Sequence, residues 1–253
     1  MNAEYITSRK NPLCSHIRKL NASKSYRRET GAFTVEGPKL LDEALSHGAA
    51  VRTVLCVEGG QTTGPSLPDG VRQVAVSREL LKGLSDTETP QGVLAECALP
   101  DLAPPDRLPA GRYLVLDGVQ DPGNVGTIWR TADAFGADGI LLLPGCADPF
   151  APKTVRATMG ACFRLPLWEV AVEELRPLLG EIPLYAAALG ADTEDVRSAN
   201  LRCAAVVIGS EGRGVSAGVL SLCGRTLKIP MRPRCESLNA AAAAAVVLWE
   251  GWR

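Results

Sequence analysis

Residues 113–143 read YLVLDGVQDPGNVGTIWRTADAFGADGILLL. Two apolar runs, Tyr113–Leu116 and Gly139–Leu143, have the composition of buried strands, and Asn124–Phe135 between them has that of a helix. A strand, a helix and a second strand in this order are typical of parallel strands joined by a crossover helix. This stretch therefore predicts an α/β fold with a mostly parallel sheet.

The same alternation continues toward the end of the chain. Further predicted elements are the helix Lys153–Met159, the strands Leu184–Ala188, Ala205–Ile208 and Leu227–Pro230, and the long helix Ser237–Trp252. Because strands and helices continue to alternate, one parallel sheet covered by helices accounts for the whole region. We therefore predict a single domain over residues 112–253.

The first third of the chain predicts a smaller α/β unit. Its predicted strands are Phe33–Glu36, Val51–Val57, Val71–Val76 and Gly92–Ala98, with helices over 9–21, from Pro38 through LLDEAL and over Arg78–Leu84, and a loop at 59–70. Residues 99–111, LPDLAPPDRLPAG, contain four prolines, which disfavour both helix and central strand. The predicted organisation is a domain at 1–99, a linker at 100–111 and a domain at 112–253.

Charge is distributed unevenly along a nearly neutral chain. The formal net charge is −1, yet residues 1–40 contain eight Lys or Arg and three Glu. A basic segment on a neutral protein indicates nucleic acid or simply a solvated chain start, and charge alone leaves both open. The residues of interest as a group are Lys10, Arg18, Lys19, Arg27 and Arg28.

Composition disfavours several classes of protein. The eight cysteines are scattered, none follows another at a C-x₂₋₄-C spacing, and we expect no metal site. The start, MNAEYITSRKNP, contains no apolar signal region, and no apolar run approaches the roughly 20 residues that cross a bilayer. We expect a cytoplasmic protein without membrane contact, with its cysteines as small buried apolar residues.

Three segments follow predicted strands, at the edge where open α/β sheets bind ligands. The first contains Asn124, either a helix cap or a ligand contact, and Gly126, whose helical position costs about 1 kcal/mol relative to alanine. The second, AVVIGSEGRGVS at 205–216, is a glycine-rich loop with one acid, Glu211. The third, LKIPMRPRCESLNAAAAAAVVLWE at 227–250, contains Ser237, which could be a plain N-cap, and an alanine run suited to close helix packing.

The second segment also permits a different interpretation. Gly212, Gly214 and Ala217 match the loose pattern G-x-G-x-x-A of dinucleotide-binding loops. That pattern needs a following strand–helix–strand unit to supply the ribose-binding acid, and about one strand and one helix remain after it. A nicotinamide or flavin enzyme is therefore disfavoured.

Taken in order, the three segments resemble the three motifs of the SpoU/TrmH branch of the SPOUT methyltransferase superfamily. The matching stretches are Asn124-Val125-Gly126 with Arg130, Ile208-Gly209-Ser210-Glu211-Gly212-Arg213-Gly214, and Ile229-Pro230-Met231 with Ser237-Leu238-Asn239. The stretch GAFTVEGPKLLDEAL at 31–45 is similar to the family's substrate-binding domain, an L30e-like α/β fold. The resemblance covers residues 113–252 closely and extends into the N-terminal domain.

The resemblance implies a deep trefoil knot in the C-terminal domain and a homodimer whose interface completes the active site. It implies S-adenosylmethionine (SAM) as cofactor, held mainly by backbone groups at Gly209, Ile229 and Leu238. It implies RNA as the partner, with 23S ribosomal RNA favoured over transfer RNA. The expected activity is methyl transfer to a ribose 2′-hydroxyl.

The resemblance also implies the catalytic residues. Arg130 is the central one, either as general base or as electrostatic stabiliser, and the second role suits a group that keeps its proton above about pH 12. Asn124 is expected to orient the substrate or Arg130, and Glu211 to orient Arg130 or a neighbouring backbone amide. Ser237 and Asn239 are expected to line the pocket for SAM and substrate. The alternatives are a transfer-RNA ribose methyltransferase, a base methyltransferase, and a non-catalytic RNA-binding assembly factor of the same fold.

Overall fold

A computed structural model describes residues 4–59, 67–189, 193–232, 234–235 and 237–252. Contacts divide the chain into an N-terminal unit, residues 1–100 with 148–163, and a C-terminal unit, residues 101–147 with 164–253. None of the helices within the described ranges is long and apolar enough to cross a membrane. The predicted loop at 59–70 falls largely on residues outside those ranges.

The described residues form twelve strands, nine α-helices and two short 3₁₀ turns. The strands are β1 (Glu4–Ile6), β2 (Ala32–Glu36), β3 (Val51–Val57), β4 (Arg72–Val76), β5 (Val93–Ala98), β6 (Tyr113–Asp117), β7 (Gly139–Leu142), β8 (Leu167–Glu169), β9 (Leu184–Ala187), β10 (Thr193–Asp195), β11 (Ala205–Gly209) and β12 (Arg225–Lys228). The helices are α1 (Pro12–Ala22), α2 (Lys24–Thr30), α3 (Pro38–Ser46), α4 (Arg78–Lys82), α5 (Pro122–Ala134), α6 (Pro152–Thr158), α7 (Leu175–Leu179), α8 (Ala217–Leu222) and α9 (Ala240–Trp252). Two short 3₁₀ turns lie at Ala161–Phe163 and Val172–Glu174.

The N-terminal unit is built on a mixed sheet with the strand order β1-β4-β3-β5-β2. Strand β4 pairs in parallel with β1 and β3, whereas β5 pairs antiparallel with β2 and β3. Helix α1 buries Ile17 and Leu20 in a core that includes Leu55 and Leu94 of the sheet. The predicted small α/β unit is therefore present.

Residues 148–163 pack within the N-terminal unit. The Phe150 and Phe33 rings meet edge to face with centroids 4.8 Å apart, and Arg27 Nε donates to Asp148 Oδ2 at 3.0 Å. Arg156 donates to Asp86 at 2.7 Å. The domain limits predicted from sequence stay a prediction, but they place this segment with residues 112–253, whereas its contacts group it with the first unit.

The C-terminal unit contains a seven-stranded sheet, within the described residues, with the order β10-β12-β9-β11-β6-β7-β8. All of its neighbouring strands pair in parallel, which confirms the predicted α/β class and parallel sheet. The core contains Val115, Leu141, Ala186 and Val207, one from each of four central strands. The carboxyl ends of these strands therefore lie along one edge.

Several boundaries differ from prediction for identifiable reasons. Helix α5 begins at Pro122 rather than Asn124, because Asp121 is the N-cap and its Oδ1 accepts from Asn124 N at 2.9 Å. Helix α9 begins at Ala240 rather than Ser237. The last strand is Arg225–Lys228 rather than 227–230. The elements that sequence patterns did not predict are β1, α2, β8, α7, β10 and α8, all of three to seven residues.

The cysteines are only partly the buried apolar residues that were expected. Cys14, Cys97 and Cys162 are buried, and burial raises the pKa of Cys97 to about 12. Cys203 and Cys235, however, are exposed. Cys203 lies in a surface turn and Cys235 lies beside the exposed Arg234, so a prediction made for the cysteines as a group does not hold for these two.

Candidate active site

A cavity of about 400 Å³ opens at the carboxyl ends of β9, β11 and β12, beside the start of α9. Its walls are largely apolar and include the side chains of Leu227, Ile229, Met231 and Leu238. The glycine-rich loop at 209–214 forms its polar side. A parallel sheet is expected to place a ligand at this edge, and the cavity lies there.

Three leucines at this cavity are unusually open to solvent. The exposed fractions are 63% for Leu189, 39% for Leu220 and 37% for Leu238. Large apolar patches left open to water mark ligand or partner sites more often than plain surface. A ligand with an apolar or aromatic part would cover these side chains.

The loop after β11 is folded back tightly on itself. Ser210 and Gly214 exchange two backbone hydrogen bonds, of 3.1 and 2.9 Å, and Gly214 has a φ of +66°. A Cβ on Gly209 would meet the Gly214 carbonyl and the Val215 nitrogen inside the 3.0 Å that real Cβ atoms essentially never cross. Glycine at 209 is therefore required by the loop itself.

A buried acid that sequence reasoning missed fixes the other end of this loop. Asp117 is 8% exposed at the carboxyl end of β6, and its Oδ2 accepts from Ser216 N at 2.7 Å. Gly209 is its register partner across β11 and β6. The sequence feature that could have revealed Asp117 is its position as the one acid, at the end of the otherwise apolar strand YLVLD.

Three predicted residues form one chain of side-chain hydrogen bonds, and all three come from different motifs. Asn124 Nδ2 donates to Glu211 Oε1, and Asn239 Nδ2 donates to Asn124 Oδ1 at 3.1 Å. Asn239 Oδ1 in turn accepts from the backbone of Ala241 and Ala242, at 2.9 and 3.3 Å, and so caps α9. The start of α5, the glycine-rich loop and the start of α9 are thereby linked.

These contacts decide between the interpretations left open by sequence. Asn124 is not the N-cap of its helix, since Asp121 takes that position. The cap of α9 is Asn239, and the exposed Ser237 lies two residues before it. The side chain of Asn124 is therefore available for the chain of hydrogen bonds.

The structure brings most of the predicted site residues to one place. The residues that line the cavity are Gly209, Glu211, Ile229, Ser237 and Leu238. Asn124 and Asn239 join them through Glu211. Arg130 is exposed on α5 and makes no hydrogen bond or ion pair among the residues the structure describes. Glu211 bonds to Asn124 and not to Arg130.

Comparisons with known proteins agree on one family. Residues 111–249 match the SpoU rRNA Methylase family, and residues 11–95 match the MRM3-like substrate binding domain. The chain is 35% identical to the 23S rRNA (guanosine(2553)-2′-O)-methyltransferase RlmP of Bacillus subtilis, over 96% of this chain and 97% of that protein. It is 32% identical to the 23S rRNA (uridine(2479)-2′-O)-methyltransferase of Streptomyces viridochromogenes, over 99% and 92%.

Solved structures give the same result. The AdoMet-bound rRNA methyltransferase from Sinorhizobium meliloti superimposes with a TM-score of 0.88 and is 32% identical, covering 98% of this chain and 97% of that one. The family match covers more than half of the chain, and its limits enclose the whole cavity and all three motifs. The chain therefore belongs to the SpoU rRNA methylase family.

Proposed function

We propose that this protein is a SAM-dependent methyltransferase that methylates a ribose 2′-hydroxyl of 23S ribosomal RNA. The observation that carries the proposal is the cavity bounded by a glycine-rich loop, with Asn124, Glu211 and Asn239 hydrogen-bonded beside it. The relatives from Bacillus subtilis and Streptomyces viridochromogenes, which are named for 23S rRNA 2′-O-methylation, support this choice of substrate.

The cavity fits SAM in size and chemistry. Its volume of about 400 Å³ lies in the range of roughly 300–1,000 Å³ that small-molecule sites occupy. Gly209 would hold the cofactor through backbone groups, and Ile229 and Leu238 would cover its apolar surface. When bound, SAM supplies a methyl group attached to a positively charged sulfur. The sulfur is a good leaving group, because it departs as a neutral thioether.

Arg130 stabilises the negative charge that develops on the 2′-oxygen. A ribose hydroxyl is a weak nucleophile near neutral pH, and its oxygen gains charge as its proton passes to solvent water. The oxygen would form a bond to the methyl carbon as the carbon–sulfur bond breaks, which would leave a neutral thioether. A guanidinium keeps its own proton above about pH 12, so its contribution is electrostatic, together with a bidentate grip on an adjacent phosphate. Arg130 is exposed and without a partner among the described residues, and is therefore available for both contacts.

Asn124, Glu211 and Asn239 position the reacting groups. The Asn124 amide is held on both sides, since its Nδ2 donates to Glu211 and its Oδ1 accepts from Asn239. A side chain held in this way presents one orientation to a substrate, and fixed polar groups lose less entropy on binding. Ser237, exposed at the cavity, adds a hydroxyl that a bound substrate or cofactor can reach.

Asn239 offers a test of this linkage, because its two functions can be separated. We expect Asn239→Ala to lower the free energy of unfolding by about 1 kcal/mol, through loss of the α9 cap, and also to lower methyl transfer. Asn239→Asp keeps the capping oxygen but cannot donate to Asn124, so it should retain stability and still lose activity roughly tenfold. Urea unfolding and kcat measure the two effects, and full activity in Asn239→Asp would contradict the positioning role.

Further expectations from the sequence complete the proposal. The C-terminal unit contains a deep trefoil knot, the N-terminal unit has an L30e-like fold, and the protein works in the cytoplasm as a homodimer. The side chain of Trp249 supports the dimer, since it is 50% exposed on α9 and packs edge to face on Phe135, the C-cap of α5, with centroids 5.8 Å apart. A second subunit would cover that ring and Ala242, which is exposed seven residues earlier on the same helix.

The direct test is methyl transfer from labelled SAM to RNA of a strain lacking this protein, separated into 23S, 16S and transfer RNA. We expect label in 23S RNA, in a nucleotide whose 3′ phosphodiester resists alkali, because a 2′-O-methyl group blocks that cleavage. Label in transfer RNA would identify transfer RNA as the substrate. A product that alkali cleaves would indicate a base methyltransferase. Failure to bind SAM would leave a non-catalytic RNA-binding protein.

A further inference from the structure

The cations of the N-terminal unit fall into two groups. One group is neutralised by carboxylates: Arg27 bonds to Asp148, Arg72 to Glu4 and Arg156 to Asp86. The other group has no carboxylate partner within the part of the chain that the structure describes, and four of its members are adjacent. These are Arg9, Lys10, Arg18 and Lys19, all exposed, which we call the basic patch.

Two side chains of the basic patch, those of Arg18 and Lys19, are held in place by contacts. Both terminal nitrogens of Arg18 donate to the Arg9 carbonyl at 3.1 Å, which ties α1 to the turn before it. Lys19 Nζ lies 5.3 Å from the centre of the Tyr26 ring, in cation–π range. The Tyr26 hydroxyl bonds to His16 Nδ1 at 2.9 Å, so the ring under Lys19 is itself fixed.

The basic patch is also free of nearby negative charge in sequence. Residues 9–28 contain seven Lys or Arg and no Asp or Glu. Neighbouring positive charges repel one another and destabilise a folded chain unless negative charge from a partner offsets the repulsion. An anionic partner that covers several cations at once would account for the arrangement.

We propose that the basic patch binds consecutive phosphates of the RNA substrate. This inference rests on the proposed function, and it adds which surface of the N-terminal unit contacts the RNA and which group of the RNA it contacts. Phosphate contacts fix the register of a nucleic acid without reading its bases. The basic patch would therefore contribute affinity and orientation, and base recognition would lie elsewhere.

Arg27 is excluded from this surface, although its sequence neighbourhood is the same. It is 4% exposed, donates to the carbonyls of Leu20 and Asn21, and pairs with Asp148. Its replacement would leave the largely buried Asp148 carboxylate without this partner, which strongly destabilises the folded chain. An RNA-binding defect in an Arg27 variant would therefore reflect unfolding.

A matched pair of triple variants of the full chain tests the proposal. Lys10→Ala/Arg18→Ala/Lys19→Ala removes three charges of the basic patch. Lys39→Ala/Arg78→Ala/Lys82→Ala removes three exposed charges on α3 and α4, also without carboxylate partners among the described residues. Filter binding of unmodified 23S RNA transcript between 50 and 300 mM KCl gives the Kd and its salt dependence, and calorimetry gives the affinity for SAM.

We expect the basic-patch variant to bind RNA roughly tenfold or more weakly, with a slope of log K against log salt reduced by about 2 to 3. Its affinity for SAM and its melting temperature should match those of the control variant, which should bind RNA like wild type. Equal RNA affinity and salt slope in the two variants would overturn the proposal. So would a basic-patch variant that loses binding to anionic lipid vesicles and keeps its RNA affinity.

This failure can be distinguished from failure of the proposed function. If the wild-type protein methylates 23S RNA and the basic-patch variant does so with the same KM for RNA, only the proposed role of the basic patch is contradicted. If the wild-type protein neither binds SAM nor labels 23S RNA, the proposed function itself is contradicted, whatever the variants do.

Discussion

Replacement of Arg130 by alanine is expected to lower kcat for methyl transfer by about 100- to 1,000-fold, the usual effect of removing one preorganised group that stabilises a developing oxyanion. The folded state should be unaffected, since Arg130 is exposed and makes no hydrogen bond or ion pair among the described residues, and alanine favours a helix. Single-turnover kinetics with saturating SAM and RNA isolates this step. The affinity for SAM should stay at its wild-type value.

Arg130→Lys separates charge from geometry at the same position. An ammonium keeps the positive charge and loses the planar bidentate contact, so we expect activity between those of wild type and Arg130→Ala. Arg197→Ala is the control for loss of an exposed guanidinium, because Arg197 pairs with Asp195 on the surface. Wild-type kcat in Arg130→Ala would remove Arg130 from the mechanism. Near-complete loss in Arg130→Lys would show that the planar geometry of the guanidinium is required in addition to its charge.

The location of the site could be predicted from sequence because it follows from topology. In a parallel sheet all carboxyl strand ends share one edge, so residues after β6, β11 and β12 must come near one another. Gly209, Ile229 and Leu238 line one cavity for that reason. The strand pattern predicted that the three segments meet at this edge, whereas the choice of these three residues within the segments came from the resemblance to the SpoU/TrmH family.

The contacts themselves could not be predicted in the same way. Asn124 bonds to Glu211, 87 residues later, and to Asn239, 115 residues later, and local patterns carry no information on such pairs. Sequence reasoning assigned Glu211 to Arg130 or a backbone amide, whereas its partner is the Asn124 side chain. The short elements β8 and β10 were missed for a related reason, since three residues show no periodicity.

Replacement of Gly209 by alanine is expected to abolish detectable SAM binding. The added Cβ would overlap with the backbone of Gly214 and Val215, which cannot move away as the end of a flexible side chain could. The two hydrogen bonds between Ser210 and Gly214 would break, and the polar side of the cavity would lose its shape. Calorimetric titration with SAM measures the loss directly.

Gly212→Ala is the matched control, since it adds the same methyl group to the same loop. A Cβ on Gly212 meets nothing within 4 Å and its φ is not positive, so we expect SAM affinity within about twofold of wild type and an unchanged melting temperature. Equal loss of SAM binding in both variants would show that the loop tolerates no side chain anywhere, and the argument from the Gly209 overlap would fail. Retained binding in Gly209→Ala would show that SAM does not depend on this backbone conformation. If the melting temperature falls strongly in Gly209→Ala and not in Gly212→Ala, Gly209 is required for folding. Melting temperature and SAM affinity must therefore be measured on the same samples.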